Sequence, residues 1–137
     1  MRKYIYWLLP VIIFPLLLSG CTKPVGNQIK LGEEFTLSPG KNAAISGENF
    51  DIKFVKVVSD SRCPQGVTCI WAGEVSCLIE VTRANPSSTT EVVLTEPGPV
   101  KTFDGHQIAF RVEPYPVAGK SITASDYQLL LTVTKSQ

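Results

Sequence analysis

The stretch Asp60-Ser61-Arg62-Cys63-Pro64-Gln65-Gly66-Val67-Thr68-Cys69-Ile70-Trp71-Ala72-Gly73-Glu74-Val75 divides the chain. It holds two of the four cysteines and the only Trp beyond the first twenty residues. On either side the sequence alternates apolar and polar residues, and helical periodicity is nearly absent. Upstream, Phe35 and Leu37 alternate with Glu34 and Thr36, and Phe50, Ile52 and Phe54 with Asp51 and Lys53. The phase then slips to Val55 and Val57, which predicts a bulge or a strand buried on both faces. Downstream, Val75, Cys77, Ile79 and Val81 alternate with Glu74, Ser76 and Glu80, although Leu78 intrudes on the polar face. Ile108, Phe110 and Val112 form another such series, as do Tyr127, Leu129, Leu131 and Val133; residues 91 to 95 form a short strand candidate.

Turn formers punctuate these runs at Ser38-Pro39-Gly40, Ser46-Gly47-Glu48-Asn49, Asn85-Pro86-Ser87-Ser88, Pro97-Gly98-Pro99, Asp104-Gly105 and Pro114-Tyr115-Pro116. About seven or eight short strands so spaced point to the all-β class. The architecture expected is an antiparallel β-sandwich, Ig-like in broad outline, with a partly closed barrel as the alternative. Asp104-Gly105 is a hairpin signal. Residues 120 to 126 are expected to hold a short helical turn that Ser121 caps and Asp126 ends.

Within the central stretch, Pro64 suits position i+1 of a type I turn and Gly66 then falls at i+3. Such a turn brings Cys63 and Cys69 together, and an oxidised seven-residue loop would add about 2.4 kcal/mol of stability. The pattern Asp60, Ser61, Arg62, Cys63, Pro64, Val67, Cys69, Trp71, Ala72, Gly73 resembles a group of small exported bacterial proteins, many with lipoprotein signals. The resemblance extends weakly over most of the mature chain, including Ser125-Asp126-Tyr127. It implies class and compartment, and no reaction or ligand. Two readings of the loop stand side by side. One is a structural staple, a disulfide-closed crossover whose Trp71 packs on the core. The other is a rigid, partly exposed recognition loop using Asp60, Arg62, Pro64, Val67 and Trp71. Staples are common in small exported domains. The two readings coexist readily, because binding residues concentrate on loops held by a rigid scaffold.

Met1-Arg2-Lys3 is a short basic start. Residues 4 to 18 are almost wholly apolar but interrupted by Pro10 and Pro15, and fall short of the roughly 20 residues a membrane helix needs. This reads as a cleaved signal. Leu18-Ser19-Gly20-Cys21 then resembles the lipobox of bacterial lipoproteins. That resemblance implies a diacylglycerol on the Cys21 thiol and cleavage before it. Each buried CH₂ adds about 0.8 kcal/mol, so two or more acyl chains anchor stably. The alternative is a secretory signal that merely ends in Gly-Cys. The organisation expected is a signal at 1–20, a lipidated Cys21 with a tether to 29, and one domain at 30–137. The polar run after Cys21 reaches at most about 20 Å. The anchor implies a cell membrane or outer membrane facing an extracytoplasmic compartment. Thr22 beside the lipidated Cys resembles outer-membrane-sorted lipoproteins.

Losing residues 1–20 removes Arg2 and Lys3 from 13 basic residues, leaving 11 against 12 acidic ones, a net charge of −1. The charges are scattered, so no basic patch suggests nucleic acid. Cys77 is the odd thiol and shares a strand face with Val75 and Ile79, as a buried small hydrophobe would. A soft-metal (Cu or Zn) or thiol-redox module on Cys63, Cys69 and Cys77 is the alternative function, although the spacings match no zinc motif. Pairing of Cys77 with either of the others stays open. His106 follows Asp104-Gly105 and is expected on a solvated hairpin tip, without a partner for acid–base work. Asp60 and Arg62 are expected to contact each other, or Asp60 to accept backbone N–H bonds in an Asx-turn. Tyr127 is expected to tie strand to loop through its hydroxyl. The sequence thus points to a non-enzymatic, lipid-anchored binding protein without metal or cofactor. Its partners would be the membrane through Cys21 and an envelope protein or small ligand.

Overall fold

The computed structural model describes residues 28–84 and 87–137, so the signal, Cys21 and the tether up to residue 27 lie outside the described residues. The strands are β1 (Gln28–Ile29), β2 (Glu34–Leu37), β3 (Asn42–Ile45), β4 (Phe50–Asp60), β5 (Val75–Ala84), β6 (Ser87–Glu96), β7 (Lys101–Phe103), β8 (His106–Glu113) and β9 (Gln128–Lys135). They form two sheets, ordered β1-β3-β4-β5-β6 and β2-β9-β8-β7. The described part of the chain is therefore all-β, an open two-sheet sandwich and not a closed barrel. All ladders are antiparallel except β1 with β3, which is parallel. β1 takes up the last two residues of the expected tether.

The alternation sorts side chains as a pleated strand must. Ile52 and Phe54 of β4, Val75, Cys77, Ile79 and Val81 of β5, and Leu129 and Leu131 of β9 are fully buried between the sheets. The phase slip in β4 is a pair of bulges, between Phe54 and Lys56 and between Val57 and Ser59. Asp104 and Gly105 have φ of 49° and 71° and join β7 to β8. Both central residues have the positive φ that a type I′ hairpin turn needs.

Four expectations change. The central loop is no crossover, since β4 and β5 are neighbours and Asp60 pairs directly with Val75. β6 is ten residues long, not five, and Ser87 and Ser88 belong to its ladder. β3, with only Ala43, Ala44 and Ile45 to mark it, gave too weak an apolar signal to be recognised. Residues 120–126 hold no helix. Thr123 accepts a backbone bond from Asp126 at 3.0 Å, and the Asp126 carboxylate caps Thr123 N at 2.8 Å, so Ser121 is not the cap.

The strand ends gather at one pole. The loop 61–74 leaves β4 there, β6 ends there opposite Val75, and β8 hands over to β9 through 114–127. The opposite pole holds the turn at Glu48 and the β7–β8 hairpin.

Candidate functional site

The loop 61–74 continues the β4–β5 ladder beyond its regular end. Ser61 N donates to Glu74 O at 2.8 Å and Cys63 N to Ala72 O at 2.8 Å. The Ser61 hydroxyl donates to Glu74 O and accepts from Glu74 N, both at 3.1 Å. Gly73 lets the two arms close. Its φ is +71°, and a Cβ there would lie 1.8 Å from Ser61 O. Cys63 and Cys69 are disulfide-bonded, with Cα atoms 5.9 Å apart. The turn at Pro64 differs from the expected one. Gln65 is drawn sideways into a bridge with Val117, its N–H donating to Pro116 O and its carbonyl accepting from Ala118 N, both at 2.9 Å. Gly66 supplies the reversal with φ +93°.

Beneath the loop lies a buried polar cluster. Asp60 Oδ1 accepts from Arg62 N at 3.1 Å and Arg62 Nε at 2.9 Å, so the ion contact and the Asx-type backbone bond occur together. Asp60 Oδ2 accepts from Arg62 Nη2 at 2.7 Å and from the Tyr127 hydroxyl at 3.1 Å. Arg62 then crosses to the second sheet. Its Nη1 donates to Val112 O at 2.7 Å and its Nη2 to Pro114 O at 3.0 Å. The Tyr115 ring lies 5.0 Å from its guanidinium carbon. Glu96 at the end of β6 accepts from Val112 N at 3.2 Å. Burial pushes the Asp60 carboxyl up, but the Arg62 hydrogen bonds and charge outweigh this and hold it below its ordinary value. Burial likewise opposes the Arg62 charge, and Asp60 more than restores it. Burial, then the Asp60 charge, raises the Tyr127 phenol.

Asp60 and Arg62 of the motif are thus spent inside the molecule, while Val67 and Trp71 face outward. Val67, Ile70 and Trp71 are 51%, 94% and 81% exposed. Trp71 therefore does not pack on the core, as the staple reading had it. Pro64 is half-buried at the loop's root. Between the loop and the second sheet runs an open groove of about 280 Å³, lined by Arg62, Ala72, Gly73, Glu96, Pro97 and Tyr115 among others. Tyr115, Glu96 and Ile70 were missed as site residues. Pro114-Tyr115-Pro116 registered only as turn chemistry, and nothing local tells that β8 ends beside this loop. Ile70 did carry a signal: it sits between Cys69 and Trp71, where a short closed loop offers little cover.

Cys77 lies in β5 with its side chain fully buried, and burial followed by the nearby Glu96 charge pushes its thiol up to about 12. Cys63 and Cys69 are bonded to each other, and among the described residues no three His, Cys, Asp or Glu side chains group as a metal site. His106 is not on a solvated tip. It is buried, its Nδ1 donates to Asp104 O at 2.8 Å, and Phe50 meets its ring edge-on at 5.1 Å. Its Nε2 lies 3.3 Å from Glu48 Oε2 without hydrogen-bond alignment, and Lys135 Nζ holds the other Glu48 oxygen at 3.0 Å. The chain matches no protein-family model, no curated protein and no solved structure.

Proposed function

We propose that this chain is a lipid-anchored extracytoplasmic protein that works as a non-catalytic binding module through the loop 60–73. The observation that carries the reading is the outward display of Ile70 and Trp71 on a loop closed by a disulfide and rooted in a buried ion pair. A loop held rigid beforehand loses little conformational freedom when a partner covers it. Trp is also the side chain that most often dominates contact energies at interfaces. Asp60 and Arg62 support binding over catalysis, because their polar atoms are taken by each other, Tyr127 and backbone carbonyls. The partner is an envelope component, protein or small ligand within reach of the anchor.

Crosslinking in living cells tests the reading. The wild-type protein should bring a defined partner with it, and Trp71→Ala should lose that partner while melting as the wild type does. Retention of every crosslink by a folded Trp71→Ala protein would place the binding surface elsewhere. Cys21→Ser should leave an uncleaved or soluble form, and a processed, membrane-retained Cys21→Ser protein would overturn the anchor.

A further inference from the structure

We infer that the C-terminal half of β4 docks an extended segment of a partner protein, added as a strand beside residues 55–59, with apolar side chains flanking a carboxylate. The site is separate from the loop apex and does not depend on it.

The ladder supports it first. β3 pairs with β4 only at Asp51, Ile52 and Lys53. The turn before β3 adds one rung: Phe54 N donates to Lys41 O at 3.0 Å, and Gly40 N to Phe54 O at 2.7 Å. Before that turn the chain belongs to β2, in the other sheet. β4 itself runs on to Asp60, still paired with β5 on its other side. Among the described residues, no strand pairs with 55–59 on the side that β3 has left. A strand turns alternate backbone N–H and C=O groups to each side, and an unpaired row of them is a template for another strand.

Shape supports it next. The bare edge lines an open cleft of about 420 Å³. Pro39 stands at one end, next to the Gly40 that bonds Phe54. Asp60 and Tyr127 stand at the other, joined by the tyrosine hydroxyl at 3.1 Å. About five residues of strand, roughly 17 Å, fit between them. The chain's own long free edge is a poor occupant. β6 is ten residues long and follows β5 without a register shift, so it has no bend to carry it past β3 and β1 beside the first half of β4. A short segment of a different protein suits the notch better than a second copy.

Chemistry supports it last. The two bulges leave Val57 opposite Cys77 on the core face and Lys56 opposite Leu78 on the outer face. Val57 and Tyr127 pack against the core, are only partly buried and line the cleft. Lys56 is exposed, and no ion pair holds it among the described residues. Asp60, the other charge at the cleft, is already taken by Arg62. An added strand continues the pleat, so its inward side chains meet Val57 and Tyr127 and the outward one between them meets Lys56. The cleft therefore selects an apolar–acidic–apolar sequence.

The test uses the isotope-labelled full chain in dodecyl maltoside micelles, with the end-blocked pentapeptide Thr-Val-Glu-Val-Thr as probe. Saturable amide shifts centred on residues 55–59 are expected. Two further peptides are N-methylated, one at Glu and one at both Val residues. Only every second N–H of an added strand faces β4, so one of the two should lose affinity by about tenfold or more while the other keeps it. Thr-Val-Lys-Val-Thr should bind about two- to five-fold more weakly than the Glu peptide, and Lys56→Glu should reverse that order. Trp71→Ala should bind as the wild type does. The inference is overturned by any of four results: no saturable shift up to several millimolar peptide, equal behaviour of the two methylated peptides, shifts centred on β6, or loss of binding in Trp71→Ala. Protection of all the amides from 55 to 59 against exchange without peptide would also overturn it, because another part of the chain or a second copy would then fill the edge.

Discussion

Asp60 accepts four hydrogen bonds, three from Arg62 and one from Tyr127, and Arg62 donates two more to the carbonyls of Val112 and Pro114 at the end of β8. Both side chains are nearly inaccessible, 8% and 5% exposed. Low dielectric makes a complete pair tolerable and half a pair costly. Arg62→Ala, which strands the carboxylate, should destabilise the protein by roughly 3–5 kcal/mol in urea titration. Tyr127→Phe removes one bond to a charged acceptor and should cost about 1.5–3 kcal/mol. An Arg62→Ala loss no larger than that of an exposed residue such as Glu74→Ala would mean the cluster is not the brace described. Cys77 makes a separate prediction. With its thiol pushed up to about 12 and no exposed surface, it should stay silent to a thiol reagent at pH 8 until the protein unfolds. Rapid labelling of native protein would contradict its placement.

The loop as an element is held by three devices that substitution can separate. Gly73 is needed twice over, for its positive φ and for the approach of Ser61 O. Gly66 has φ +93° but only the Ala118 Cβ, 3.8 Å away, near the place of its missing side chain. Gly73→Ala should therefore destabilise by at least about 2 kcal/mol, and Gly66→Ala by about 1–2 kcal/mol from the left-handed backbone alone. Equal effects would show that the contact with Ser61 relaxes freely. Replacing both Cys63 and Cys69 by Ala should cost about 2.4 kcal/mol, the entropy of an opened seven-residue loop. With the Gln65–Val117 bridge and the Arg62 cluster still in place, the Trp71 environment should change little, which its fluorescence reads directly. A large change there would assign the loop's shape to the disulfide rather than to its roots.

Across the whole molecule, what alternation could carry was legible: the sandwich class, the bulges in β4, the Asp104-Gly105 hairpin and the buried face of β5. What depended on which strand ends meet in space was not. Trp71 read as core because Trp is highly buried on average, and nothing local to it tells that the loop lies outside the sheets, tied at Gln65 to the 116–118 segment. His106 read as a solvated tip because of the turn before it. Its phase with Ile108 and Val112 already pointed it inward. The same long-range pairing places a low-pKa carboxylate at each pole. Arg62 more than offsets burial to hold Asp60 below its ordinary value, and at the far pole the Lys135 hydrogen bond above all does so for Glu48. In both cases the unfolded chain binds its proton first as pH falls. Their stabilisation is therefore complete above the unfolded carboxylate value of about 4 and disappears as pH drops through the lower folded values. Thermal melts from pH 7 to pH 2 should fall steeply below about pH 4. Asp60→Asn should lower the neutral-pH melting temperature, and Glu48→Gln should change it less because that group is more open to water. Each should flatten the acid limb, since the replacement amide has no proton to gain. Acid limbs that stay parallel to the wild type in both variants would show that other carboxylates govern acid unfolding.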